Sequence, residues 1–175
     1  NAHKKELADP RVRIALNLAV DKETLAKSLY LGHGQPNHAQ HLSKGMLGYN
    51  GKLKPFAYDP KKARQLLKEA GYPNGFELVL HAPIGRYLKG EETSEFVAAQ
   101  LKEVGVRVKL QLHEWNAYRK LGRIPGNEPG AFDLKYGWNS NEWFDASRIV
   151  SHITCDGTSS KLCNKKVDQL MDQAI

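Results

Sequence analysis

An α/β layered fold is predicted by three observations. Segments with apolar residues at helical spacing alternate with short strand-like runs. The run Val106–His113 places Val106, Val108, Leu110 and Leu112 strictly between Arg107, Lys109, Gln111 and His113. Glycines and Asp-Pro pairs punctuate the ends of these segments. Helices alternating with strands at such separations predict an α/β layered sheet, and the clean alternation of residues 106–113 predicts a strand buried on one face only.

Asp9-Pro10 is a helix start, because Asp can cap free amides and Pro at the first helical position has no amide to lose. Val12, Ala15, Leu16 and Ala19 then fall on one face, Asp21 caps a second helix carrying Leu25 and Leu29, and Gly32 is its expected stop. Residues 1–32 are therefore expected to form two consecutive helices. From Gly32 to Tyr58 periodicity disappears, and a long irregular loop is expected; loops of that length in a compact domain are functional or wrapped against another unit. Asp59-Pro60 opens a helix with Ala63, Leu66, Leu67 and Ala70 on one stripe, ending at Gly71. Turn residues 72–75 lead into the strand FELVLHAP. Phe96, Val97, Leu101 and Val104 mark the next helix, closed by Gly105 before the alternating strand. Trp115, Ala117 and Tyr118 begin a short helix, and residues 124–130 are a polar loop. Phe132, Leu134 and Tyr136 alternate with polar residues as a last strand, followed by an aromatic and polar cluster at 138–145 and helical spacing from Ala146. Val167, Leu170 and Met171 predict a terminal helix.

At 175 residues the chain can hold one substantial core. With 41% hydrophobic and 26% charged residues, and no apolar run approaching the roughly 18 residues that span a bilayer, a water-soluble globular domain is expected. The first ten residues contain no apolar targeting core, and the chain closes on MDQAI within helical spacing, so a piece of a longer protein is expected. The formal charge of +7 is spread over helix faces and strand edges with no nucleic-acid-binding motif, so a solvated basic surface is expected and no nucleic-acid partner. No nucleophile elbow, zinc-protease helix, P-loop or complete dinucleotide fingerprint occurs. Glu142 and Asp145 could form a carboxylate pair, but nothing near them supplies the contrasting environments acid–base catalysis needs, so no enzyme and no cofactor are expected. His33, His38 and His41 fit no closed metal geometry and are expected to be surface histidines.

Five segments, DPRVRIALNLAVDKE (9–23), YDPKKARQLLKEAGYPNGFELVL (58–80), GRYLKG (85–90), VAAQLKEVGVRVKLQLHEWNAY (97–118) and FDLKYGW (132–138), occur in one order and at set separations. Their sequence resembles the extracytoplasmic solute-binding proteins of the peptide and nickel class, family 5, which serve ABC importers. The resemblance implies a type II periplasmic-binding-protein-like lobe, with residues 1–175 as a single unit, the large second lobe of a two-lobed protein. It also implies a periplasmic or membrane-anchored extracytoplasmic location, a monomer, a small-molecule or peptide ligand, and permease subunits as the contact with the membrane. A ligand-sensing domain of a transcriptional regulator is the alternative.

In relatives the tryptophan of the GW motif and an acid shortly after it line the cleft; the corresponding positions here are Trp138 and Asn141. An amide cannot neutralise a peptide ammonium, although Glu142 and Asp145 stand close in sequence to take over. That departure leaves room for an opine or sugar conjugate beside a dipeptide or oligopeptide. Trp115 of the EW motif is either a second aromatic wall or a core residue at a strand end. Arg86 could hold a ligand carboxylate with Tyr87 beside it, or tether neighbouring elements. Cys155 and Cys163 enclose DGTSSKL, which resembles the disulfide-closed loop of dipeptide- and haem-binding relatives. A loop of that size would stabilise the fold by roughly 2.5 kcal/mol in an oxidising compartment. Two buried thiols, or a metal shared with His152, are the alternatives.

Overall fold

The computed structural model describes residues 4–36, 40–124, 132–137, 155 and 164–173. Its elements are α1 (Lys5–Ala8), α2 (Pro10–Leu18), α3 (Lys22–Tyr30), α4 (Pro60–Glu69), β1 (Phe76–Pro83), α5 (Gly90–Glu103), β2 (Val106–His113), α6 (Trp115–Gly122), β3 (Leu134–Lys135) and α7 (Lys165–Asp172).

Three of the expected caps form. The carboxylates of Asp9, Asp21 and Asp59 accept the amides of Arg11, Thr24 and Lys62, with Pro10 and Pro60 in the first turns of α2 and α4. Each such cap contributes about 1 kcal/mol. The Arg11 guanidinium, gripping Asp9 through both oxygens, holds that carboxyl below its usual range. At the end of α3 two consecutive residues are left-handed, Leu31 (φ 53), which is 80% exposed, and the expected stop, Gly32 (φ 78). Residues 4–32 hold three helices rather than two. The extra turn, α1, is short and its signal is a single buried residue, Leu7, so periodicity could not reveal it.

Among the described residues the sheet is parallel, in the order β2-β1-β3. Phe76 pairs with Val106 at one end of β1 and Pro83 with His113 at the other, an eight-residue register without slippage. Being central, β1 buries both faces in its second half; being an edge, β2 alternates clearly only at its start, and Leu112 is 39% exposed. On one face α2 packs against α4, and α5 lies across β1 and β2. There Val12, Ala63, Leu67, Phe76, Leu78, Leu101 and Val106 form the core. The opposite face carries α6 with Tyr118, Phe132 and His81.

Two elements depart from expectation. Helix α5 begins at Gly90, well before Phe96, because the face it buries first is Gly90, Thr93 and Ser94, with the Ser94 hydroxyl bonded to the Gly90 carbonyl (2.8 Å). Small and polar residues produce no apolar stripe. Strand β3 is two residues long, and Phe132, Leu134 and Tyr136 do not share one face. A bend at Asp133 puts Phe132 against His81 and Tyr118, while Leu134 packs on the helical core opposite. Asp133 causes this: its carboxylate accepts the Val79 amide of β1 (2.8 Å) and the Lys4 ammonium (2.7 Å), so a side chain does what a strand carbonyl would.

The described part of 32–58 has no helix or strand, as expected, and most side chains of 40–58 are exposed. Gln40 closes part of it by donating to the Asn50 carbonyl (2.9 Å) and accepting the Asn50 amide (3.1 Å). No helix among the described residues is long and apolar enough to cross a membrane.

Candidate functional site

Because all three strands run parallel, their carboxyl ends emerge on one edge of the sheet, the place where open α/β sheets keep their ligands. The chain leaves β1 through Ile84–Leu88, β2 through Glu114 into α6, and β3 through Tyr136 and Gly137. Glu114 caps α6 with its own carboxylate, accepting the Asn116 amide at 2.8 Å, and so places Trp115 in the helix's first turn directly at the strand end.

Three predicted residues meet there. The Arg86 guanidinium lies over the Trp115 ring, its carbon 4.7 Å from the ring centroid, and 6.0 Å from that of Tyr87. Tyr87 meets Trp115 edge-on, with centroids 6.3 Å apart. Stacking of this kind holds a guanidinium flat and leaves its N–H edges free to meet a planar anion. Arg86 is exposed and Trp115 half-buried. Trp138, Asn141, Glu142, Asp145 and Cys163 lie outside the described residues; Cys155 lies within them, and its amide donates to the Asp168 carboxylate of α7 (3.1 Å).

Four aromatic residues that sequence reading did not assign to the site extend the cluster. Trp115 stacks on Tyr118, with centroids 6.0 Å apart, and Tyr118 donates its hydroxyl to the Tyr136 carbonyl. Tyr87 meets Tyr136 edge-on at 5.7 Å. Tyr30, from the end of α3, shares a hydrogen bond with the Thr93 hydroxyl (3.0 Å) and donates to the Leu88 carbonyl (3.2 Å). Phe132 completes the layer under Tyr118, with centroids 5.6 Å apart. Tyr118 and Tyr136 were visible only as core positions of a helix and a strand, and Tyr30 is almost sixty residues from its nearest partner here. Burial raises the Tyr118 phenol; burial, with the Tyr30 hydroxyl beside it, pushes Tyr136 up to about 12. Both are neutral hydrogen-bond donors at physiological pH.

Beneath this edge His81 and His113 stack across β1 and β2, with Nδ1 of His81 2.9 Å from Nε2 of His113. Burial lowers the His81 pKa below 6.5, His113 adds to the depression, and the Asp133 carboxylate opposes it. The unfolded chain therefore takes up this proton first as pH falls. The stabilisation is complete above about pH 6.5 and is lost as pH drops below that value. Urea midpoints measured between pH 7.5 and 5.5 are expected to fall for the natural chain and to fall less for His81→Gln; identical slopes would refute a buried neutral His81.

A larger cavity of about 570 Å³ lies between α3 and residues 55–58, with Lys22, Phe56 and Tyr58 in its wall, and no strand-edge residue reaches it.

The family model described as bacterial extracellular solute-binding proteins, family 5 Middle, matches residues 1–160. The dipeptide-binding protein of Escherichia coli K12 is 31% identical over 182 residues, covering 99% of this chain and 33% of its own length. Among solved structures, HbpA2 from Haemophilus parasuis superposes with a TM-score of 0.86 at 32% identity, covering 99% of this chain and 35% of that one. The periplasmic binding protein DppA from Helicobacter pylori, in complex with the peptide STSA, gives 0.83 at 28% identity, covering 99% and 34%. The chain thus spans about a third of the length of the relatives it matches. It has their α/β, type II binding-protein fold, and it belongs to family 5 of the bacterial extracellular solute-binding proteins.

Proposed function

We propose that this chain is one lobe of the solute-binding component of an ABC importer, which captures a small polar ligand in an interlobe cleft and delivers it to the membrane permease. The observation that carries this reading is the gathering of Arg86, Tyr87 and Trp115 at the carboxyl edge of the parallel sheet. The Trp115 face supplies apolar contact, and Arg86 supplies a fixed cation for a ligand carboxylate, as in a dipeptide, oligopeptide or opine. Trp138 follows Gly137 in the sequence and would supply a second aromatic face, and Asn141, Glu142 and Asp145 after it would serve as orienting polar groups. Ligand binding selects a closed arrangement of two lobes, and closure reports occupancy to the permease. The protein acts by enclosure, without chemistry on its ligand, as a monomer in the periplasm. The regulator alternative has no support among the relatives reported above.

The Cys155–Cys163 disulfide belongs to the same proposal. It suits an oxidising compartment, no free cysteine stands among the described residues, and it would close a short loop held to α7 through the Cys155 amide.

Native mass spectrometry of the intact protein from its own host tests the function. A peptide, opine or sugar conjugate carried through purification is the expected result. A protein that purifies empty and binds none of these in titration would refute it.

A further inference from the structure

Next to Arg86 and Trp115, but separate from them, a pocket of about 310 Å³ is lined by Tyr30, Tyr87, Leu88, Tyr136 and Gly137. Its walls come from three places in the chain: the end of α3, the loop after β1, and the two residues that follow β3. Gly90 lets the tyrosines pack closely: a Cβ there would stand 3.1 Å from the Tyr136 ring and 3.3 Å from the Tyr87 Cβ, so a larger residue would push both tyrosines back by a few tenths of an ångström. Tyr87 and Tyr136 meet edge to face at 67°, so the two aromatic walls are set at a steep angle to each other. The hydroxyls of Tyr30 and Thr93 are already paired with each other and stand beside the Tyr136 phenol, so the polar end of the pocket offers neutral hydroxyls.

Among the described residues the lining contains no charged side chain. The Arg86 guanidinium carbon lies 6.0 Å from the centroid of Tyr87, one wall of the pocket, where it opposes entry of a second cation despite the aromatic walls. The Lys89–Glu92 pair (2.7 Å) on the first turn of α5 is satisfied within itself. A charged group entering the pocket would lose hydration and find no counter-ion among the described lining residues. The size is at the low end for small-molecule sites and suits one ring rather than a whole ligand.

We propose that this tyrosine pocket is a ligand subsite that takes an uncharged ring bearing a hydroxyl group, so that the ligand of this protein carries such a ring next to the carboxylate held at Arg86. The proposal rests on the strand edge being a ligand wall, but the pocket can be read directly and independently of any peptide.

The probe is 4-fluorophenol, followed by fluorine NMR with the intact protein, against 4-fluorobenzylamine, which is positively charged at neutral pH. The phenol is expected to bind at millimolar concentration, at least tenfold more tightly than the amine. Leu88→Trp, at a position 76% exposed, should fill the pocket without disturbing the fold and abolish phenol binding. Tyr30→Phe keeps the shape, removes one hydroxyl and should weaken binding several-fold. No phenol binding, equal binding of the amine, or binding unchanged in Leu88→Trp would each overturn the subsite. An intact protein that binds 4-fluorophenol in this way yet carries no solute would instead remove the importer reading and leave the pocket standing.

Discussion

Replacing Gly75 by alanine is expected to destabilise the chain by about 3 kcal/mol or more. A Cβ at that position would lie 1.8 Å from the Gly105 carbonyl oxygen and 2.4 Å from its carbon, and Gly75 itself has φ +69. The obstacle is backbone, which cannot rotate aside. Gly75 and Gly105 precede β1 and β2 by one residue each, so their close approach sets the level at which Phe76 and Val106 begin to pair. Moving them apart strains the whole register. Gly105→Ala provides the comparison: its φ is +94, but its nearest contact would be an ordinary 3.5 Å, so only backbone strain of about 1 kcal/mol is expected. Urea unfolding of both variants measures the difference. Equal losses would mean that only the backbone conformation of the two glycines matters and that the contact between them yields easily. A loss of 3 kcal/mol is a large part of the roughly 5–15 kcal/mol by which domains are stable.

Trp115→Ala is expected to weaken ligand binding by the intact protein roughly thirty-fold, about 2 kcal/mol, the scale of a central aromatic contact. Two effects combine. The ligand loses an aromatic face, and Arg86 loses the ring 4.7 Å beneath it that keeps its guanidinium flat. Trp115→Phe retains both in reduced form and should lose only several-fold. Titration with the solute identified by mass spectrometry measures this, together with the melting temperature of each variant. An affinity within threefold of the natural protein would place Trp115 outside the binding surface. An equal loss in alanine and phenylalanine variants, with a lowered melting temperature, would identify it as a packing residue against Tyr118.

Much of the fold was legible because its signals are local. Asp9, Asp21 and Asp59 announce helix starts through chemistry within three residues of themselves, and all three caps form. Leu67 and Ala63 lie on one stripe in any helix that contains them. The strands β1 and β2 were bounded correctly because Gly75 and Gly105 break the chain immediately before each. Where the signal was a mixed or polar face, reading failed: α5 buries Ser94 and Thr93, and a pattern of apolar residues cannot announce that. The tyrosine pocket escaped for another reason, since Tyr30, Tyr87 and Tyr136 come from three segments whose proximity no spacing encodes.

By itself, the sequence determined the α/β class, most element boundaries and the loops at which Arg86, Tyr87 and Trp115 would emerge, because capping, periodicity and turn chemistry act over a few residues; the family followed from the resemblance of five collinear segments. Only the tertiary structure decided that these loops share one edge, that Asp133 turns Phe132 and Leu134 to opposite faces, and that two histidines stack across neighbouring strands. Those outcomes depend on parallel pairing between segments tens of residues apart, where a single carboxylate bonded to the Val79 amide outweighs the alternation of the strand that carries it.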